Sequence, residues 1–160
     1  MNTFRLSEAS LARLTVHSNH HLTQGQLITK LRNLAGTAYH AMQKTRFVAD
    51  AMKRPFKNAE YYSNAIKESL TLYVGQLQNL GDDSASMSAI VQPYVVQENK
   101  TDWKQPIREL IALHTEIKNQ ILNIFVQYKE SDFPETFKFL RQQLSLHEEQ
   151  LWDFRMQLEN

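Results

Sequence analysis

The sequence contains no cysteine. That excludes a disulfide framework, a thiolate metal site and a cysteine nucleophile. Glycine and proline are scarce, at 4 residues each in 160, against average shares of roughly 7% and 5%. A turn-rich β protein needs more of both. Long apolar runs are also missing, so no segment reads as a membrane span. The start, MNTFRLSEASLARLTVH, lacks the apolar core of a secretory signal. Nor does either sign of charge dominate. Lys and Arg number 18 against 17 Asp and Glu, a net charge of +1, and that balance names neither nucleic acid nor membrane as a partner. The expectation from these absences is a single cytoplasmic globular domain of helical type.

What is present is helical period. The first stretch runs from about Gln24 to Lys53 and spaces Leu27, Leu31, Leu34, Ala38, Met42, Val48 and Met52 mostly by three and four. A second, from Asn58 to Leu80, carries Tyr62, Ile66, Ser69, Tyr73, Leu77 and Leu80. Trp103 to Lys129 carries Ile107, Ile111, His114, Ile117, Ile121, Ile124 and Tyr128. Phe133 to Glu159 carries Leu140, Leu144, His147, Leu151, Phe154 and Leu158. These spacings fit 3.6 residues per turn and not the strand period of two. Most of the breakers punctuate these stretches. Gly25 reads as preceding the first and Pro55 follows it, while Gly81 closes the second as a C′ glycine. Asp132, Pro134 and Glu135 read as an N-cap, a first-turn proline and a capping-box acid. Only Gly36 and Gly75 are expected inside helices.

Four such helices, each roughly 35 to 45 Å long, bury one stripe apiece best in a four-helix bundle. Two connections are short, near residues 54–57 and 130–132. The middle one, Asp82 to Thr101, is 20 residues, enough to cross the bundle from end to end, with a short helix expected over Ser86–Val91. The predicted fold is therefore an all-α, ferritin-like four-helix bundle over residues 23–160, with a long crossover between the second and third helices. Residues 1–22 form a separate N-terminal arm, with a short helix over Ser7–Leu14 and then a histidine-rich polar run. A cytokine-like bundle also uses long crossovers.

The last sixty residues carry a family pattern. They include Trp103-Lys-Gln-Pro-Ile-Arg-Glu-Leu-Ile-Ala-Leu-His114, then Glu130-Ser-Asp-Phe-Pro-Glu-Thr136, then Leu144-Ser-Leu-His-Glu-Glu-Gln-Leu-Trp152-Asp-Phe-Arg. This segment resembles the C-terminal half of the Dps family, the mini-ferritins, and the Leu80-Gly81 helix end, the crossover and the arm are similar too. The resemblance covers about residues 24–160. It implies a homo-oligomeric shell, a dodecamer, that oxidises and stores iron and in some members binds DNA. It implies a ferroxidase site between subunits, built from a histidine late in the first helix, a His-x-x-x-Asp pair at the start of the second and an Asp-x-x-x-Glu pair later in that helix. Anchored on Leu80-Gly81, those positions fall on Lys44, Phe56, Glu60, Thr71 and Gly75. Of these only Glu60 has a side chain able to ligate iron. Iron oxidation needs carboxylates and imidazoles, so the resemblance implies a scaffold whose usual ferroxidase site is altered or lost.

Within the bundle, His114 and His147 both lie on apolar stripes, with Glu68 flanking one of them. They read either as ligands of a mononuclear metal site or as core histidines bonded to Tyr, Thr or each other. Together with Glu60 they are the candidate metal residues. His17, His20 and His21 read as a polar linker or a weak metal-binding run, and His40 as a surface residue. Glu148, Glu149 and Asp153 read as a solvated face or a subunit contact.

The near-zero net charge hides a split. Residues 1–60 hold nine basic and three acidic side chains, and the remainder nine and fourteen. Lys44, Arg46, Lys53, Arg54 and Lys57 form a candidate basic patch. It suits either phosphate contacts to DNA, repeated over a shell, or acidic neighbours in an assembly. The paired aromatics Tyr61 and Tyr62, and Phe137 and Phe139, point to different helix faces and read as surface that an oligomer buries. Two functional readings follow. One is a Dps-like mini-ferritin for iron sequestration or stress protection, leaning away from enzymatic activity. The other is a non-enzymatic assembly or binding protein on the same scaffold.

Overall fold

A computed structural model describes residues 20–51, 58–90 and 104–159. Among them the chain is helical, with no strand. The helices are α1 (His20–Ala51), α2 (Ala59–Asn79), the single turn α3 (Met87–Ile90), α4 (Lys104–Gln127) and α5 (Pro134–Glu159). Each long helix matches one periodic stretch to within a few residues. The largest difference is at the start of α1, which begins at His20 rather than Gln24. Gly25 therefore lies inside the helix, and the last two histidines of the polar run sit on helical backbone instead of in the arm. The rest of the arm, the 52–57 connection and residues 91–103 lie outside the described residues.

α2 ends as its sequence dictates. Gly81 adopts φ +93, its N–H reaches the Gln78 carbonyl at 3.0 Å, and the Asp82 N–H reaches the Leu77 carbonyl at 3.0 Å. This reciprocal pair is the Schellman arrangement, which needs a left-handed residue at C′. The short helix expected over Ser86–Val91 is seen as α3. At α5 the expected cap shifts by one residue. Pro134 is the first helical position, where its missing N–H costs nothing. The Phe133 carbonyl accepts the first helical bond, from the Phe137 N–H. Asp132 instead closes the preceding turn through its backbone N–H to the Lys129 carbonyl.

α1 packs along α2, α4 along α5, and α1 also along α4, while α2 meets α5 less extensively. Named contacts fix the directions. Gln24 of α1 donates to the Leu80 carbonyl after α2 at 2.6 Å, so these helices run antiparallel. Tyr128 lies against Phe133, and Phe125 against Phe137, so α4 and α5 do likewise. Tyr73 packs edge-on to Phe139 at 4.7 Å, and the Thr136 hydroxyl meets Gln76 Oε1 at 3.2 Å, so α2 and α5 are antiparallel as well. α2 and α4 consequently run the same way, and the chain between them passes from one end of the bundle to the other.

The predicted stripes are the interior. Leu27, Leu31, Leu34, Ile66, Leu70, Tyr73, Leu77, Ile107, Ile117, Ile121, Ile124 and Leu140 are at most 1% exposed, and burial of each large one contributes roughly 1.5 to 3 kcal/mol. The aromatic pairs correct one expectation. Tyr62, Phe137 and Phe139 are buried within the chain, and only Tyr61 faces solvent. α5 uses two faces because it wedges between neighbours, presenting Phe137 to α4 and Phe139 to α2. Those rings are no argument for assembly.

Gly81→Ala is expected to lose about 1–2 kcal/mol in urea unfolding, because a Cβ is strained at that positive φ. Gly25→Ala and Gly36→Ala, which meet nothing within 4 Å, are expected to gain about 0.5–1 kcal/mol each.

Candidate functional site

The apolar interior is not continuous. It falls into a large cluster around Leu31, Leu70, Ile121 and Leu140 and a small one of Val48, Ala59, Ile107, Leu110 and Phe154. Between them each long helix buries polar side chains. α1 supplies Lys44 and Thr45, α2 supplies Ser63, α4 supplies His114, and α5 supplies Gln143, His147 and Gln150. The spacing 143, 147, 150 keeps the three α5 residues on one inward face. This layer gathers most of the chain's buried chemistry.

At its centre the His114 and His147 rings face each other, with Nδ1 to Nδ1 at 2.8 Å and both residues 0% exposed. Two imidazoles share such a bond only when one donates Nδ1–H and the other accepts through a bare Nδ1. The donor ring's Nε2 is then a lone pair and the acceptor ring's Nε2 is an N–H. Neither Nε2 has a partner among the described residues, and the same holds for Ser63 Oγ, Gln143 Oε1 and both polar atoms of Gln150. Phe154 covers the His114 ring at 5.3 Å. Burial disfavours the charged imidazolium. It pushes His147 down to about 4, and holds His114 well below its ordinary value, with the neighbouring His147 adding to the effect. Both rings are neutral at pH 7.

Of the metal candidates, the structure brings His114 and His147 together and leaves Glu60 apart. Glu60 and Glu68 are exposed on α2. Among the described residues no group of three or more His, Asp or Glu side chains stands where it could hold a metal ion. The two histidines are core residues hydrogen-bonded to each other. The positions carried over from the mini-ferritin pattern do not fit iron. Thr71 is exposed, Gly75 has no side chain, and Phe56 lies outside the described residues.

Lys44 is the informative departure. It is 9% exposed rather than part of an open basic patch, and its ammonium is ion-paired with the Glu109 carboxylate of α4. Burial pulls its pKa below the ordinary lysine value. An ammonium has no lone pair to offer a metal. Of the remaining patch residues, Arg46 is exposed, and Lys53, Arg54 and Lys57 lie outside the described residues. His40 is half-buried rather than on the surface.

The acidic candidates on α5 separate. Glu148 pairs with Lys118 at 3.2 Å and Glu149 is exposed. Asp153 is half-buried. It accepts the Tyr62 hydroxyl in a short hydrogen bond and the Asn58 side-chain amide at 3.2 Å. Burial and that carboxylate push the Tyr62 phenol upward. Asp153 ties α5 to α2.

Ser63, Gln143 and Gln150 escape the sequence reading. The signal was there. Gln143 and Gln150 occupy the same stripe as Leu140 and Leu151, where a polar residue needs a reason. Comparisons with models of known protein families, with curated proteins and with solved structures find no match for this chain.

The Lys44–Glu109 contact makes an asymmetric prediction. Glu109→Gln strands a buried ammonium and is expected to cost about 1–2 kcal/mol, reduced from the fully buried case because Glu109 is half-exposed. Lys44→Met strands only a solvated carboxylate and is expected to stay within about 1 kcal/mol of the parent. Denaturant unfolding of both single variants and the double variant measures the difference.

Proposed function

We propose that the chain is a ferritin-like scaffold of the Dps type that works through assembly and sequestration and lacks the usual ferroxidase step. Helix order and direction support the scaffold. Two antiparallel hairpins are joined by a connection that crosses the bundle and carries a one-turn helix, which touches α1 and α2. A single long crossover is what a ferritin-like bundle uses, and it supports that reading. The observation that carries the loss of catalysis is the ion pair of Lys44 with Glu109. It puts a positive charge where the first iron ligand belongs, and it ties up that charge in the contact between α1 and α4.

In this reading the protein forms a homo-oligomeric shell, a dodecamer, whose cargo is iron and whose role is protection under oxidative or starvation stress. DNA contact through Arg46 and the neighbouring basic residues is a subsidiary part of the proposal. So is a cytoplasmic location. Exposed Val126 at 84%, Trp152 at 64%, Tyr61 at 57% and Leu72 at 51% supply apolar surface for subunit contacts.

Light scattering of the purified chain tests assembly. The expected result is one large closed species, and a clean 18.7 kDa monomer overturns the shell. Iron(II) oxidation followed optically, with and without peroxide, tests the chemistry. The expected rate equals that of buffer, and turnover above buffer overturns the loss of the ferroxidase site. A shell without iron uptake and without turnover selects the alternative, a non-enzymatic assembly or binding protein on the same scaffold.

A further inference from the structure

The polar layer combines three properties that have no role in a passive core. It divides the apolar interior into two clusters. It contains two neutral imidazoles from opposing helices, joined only to each other. Counting the two ring Nε2 atoms, six buried donor or acceptor atoms on five residues of the layer lack partners among the described residues, each costing roughly 1–3 kcal/mol if left so. An apolar pair of similar size would avoid that cost, so the layer is a weak plane in an otherwise tightly packed bundle.

We propose that this layer is a proton-operated seam, at which protonation of the His114–His147 pair separates α4 from α5 and opens the bundle between its two apolar clusters. The chemistry runs in two steps. One proton added to the pair gives an imidazolium bonded to an imidazole, and leaves a net charge in the buried interior. A second proton places Nδ1–H against Nδ1–H and removes the bond altogether. Opening lets both rings reach water and take protons at their ordinary affinity. The open state therefore binds more protons than the closed one, and opening becomes easier as pH falls.

Among the described residues no counter-charge stands ready to hold the protonated pair. From α1 the buried titratable group of the layer is Lys44, a cation already committed to Glu109. From α2 come the phenols Tyr62, bonded to Asp153, and Tyr73, both pushed upward and neutral. On α4, Glu116 is exposed. On α5, Glu148 is paired with Lys118 and Glu149 is exposed. The window follows from the rings. It opens below the ordinary histidine value near 6.5 and closes toward about 4, where His147 of the folded state itself takes a proton.

Amide hydrogen exchange of the full chain between pH 7.5 and 5, corrected for intrinsic rates, measures the opening equilibrium of 107–124 and 140–154. The expected result is an opening constant that rises at least about tenfold per pH unit below pH 6, and up to about a hundredfold where both protons are taken up on opening. The double variant His114→Met/His147→Met is expected to lose that slope, and retention of the full slope overturns the proposal. Should the variant fail to fold, ring-nitrogen NMR of the parent decides. Two neutral rings at pH 6, charging only together with loss of α4–α5 protection, sustain the seam. Rings that titrate near 6.5 with protection unchanged overturn it.

Discussion

The bundle depends on one constraint, that each long helix hides a stripe which it cannot keep helical in water alone. Isolated helices draw little stability from propensity, and most of it comes from packing an amphipathic face. Here the stripes of α1, α2, α4 and α5 meet one another and close the interior at Leu31, Ile66, Ile121 and Leu140, all at most 1% exposed. The crossing connection follows from the same requirement. With α2 and α4 running in the same direction, only a segment as long as the bundle can join the two hairpins without leaving a stripe uncovered.

Within that frame, every helix interface carries a strong polar tie. Arg32 forks onto Asp82 with both contacts at 2.6 Å and joins α1 to the end of α2. Lys44 meets Glu109 between α1 and α4, Tyr62 meets Asp153 between α2 and α5, and His114 meets His147 between α4 and α5. Three of these ties involve an ionised group with an opposite charge or a donor beside it. The fourth has no charge at all, and it lies deepest. Exposed ion pairs such as Lys118 with Glu148 contribute little by comparison.

Much of this is legible in the sequence. The stripes, the C′ role of Gly81 and the inward placing of His114 and His147 follow from spacing alone. The start of α1 is not, because Gly25 is a breaker by propensity and tertiary burial of Leu27 and Leu31 overrides a cost of about 1 kcal/mol. The fate of Lys44 was also hidden. Its pairing with Glu109 joins residues 65 positions apart, and no local pattern reports such a contact. Phe137 and Phe139 misled for a related reason. Two residues on different helix faces look like one buried and one exposed, unless the helix is flanked on both sides. Gln143 and Gln150 sat on the stripe in plain view, and long polar side chains are read by habit as surface.

The ties at Leu80 and Asp82 also set an order of events. Gln24 to Leu80 and Arg32 to Asp82 and Ser84 close the first hairpin using nothing beyond residue 84. A chain made N-terminus first at about 5–20 residues per second carries every residue of this clasp before α4 and α5 have been synthesised.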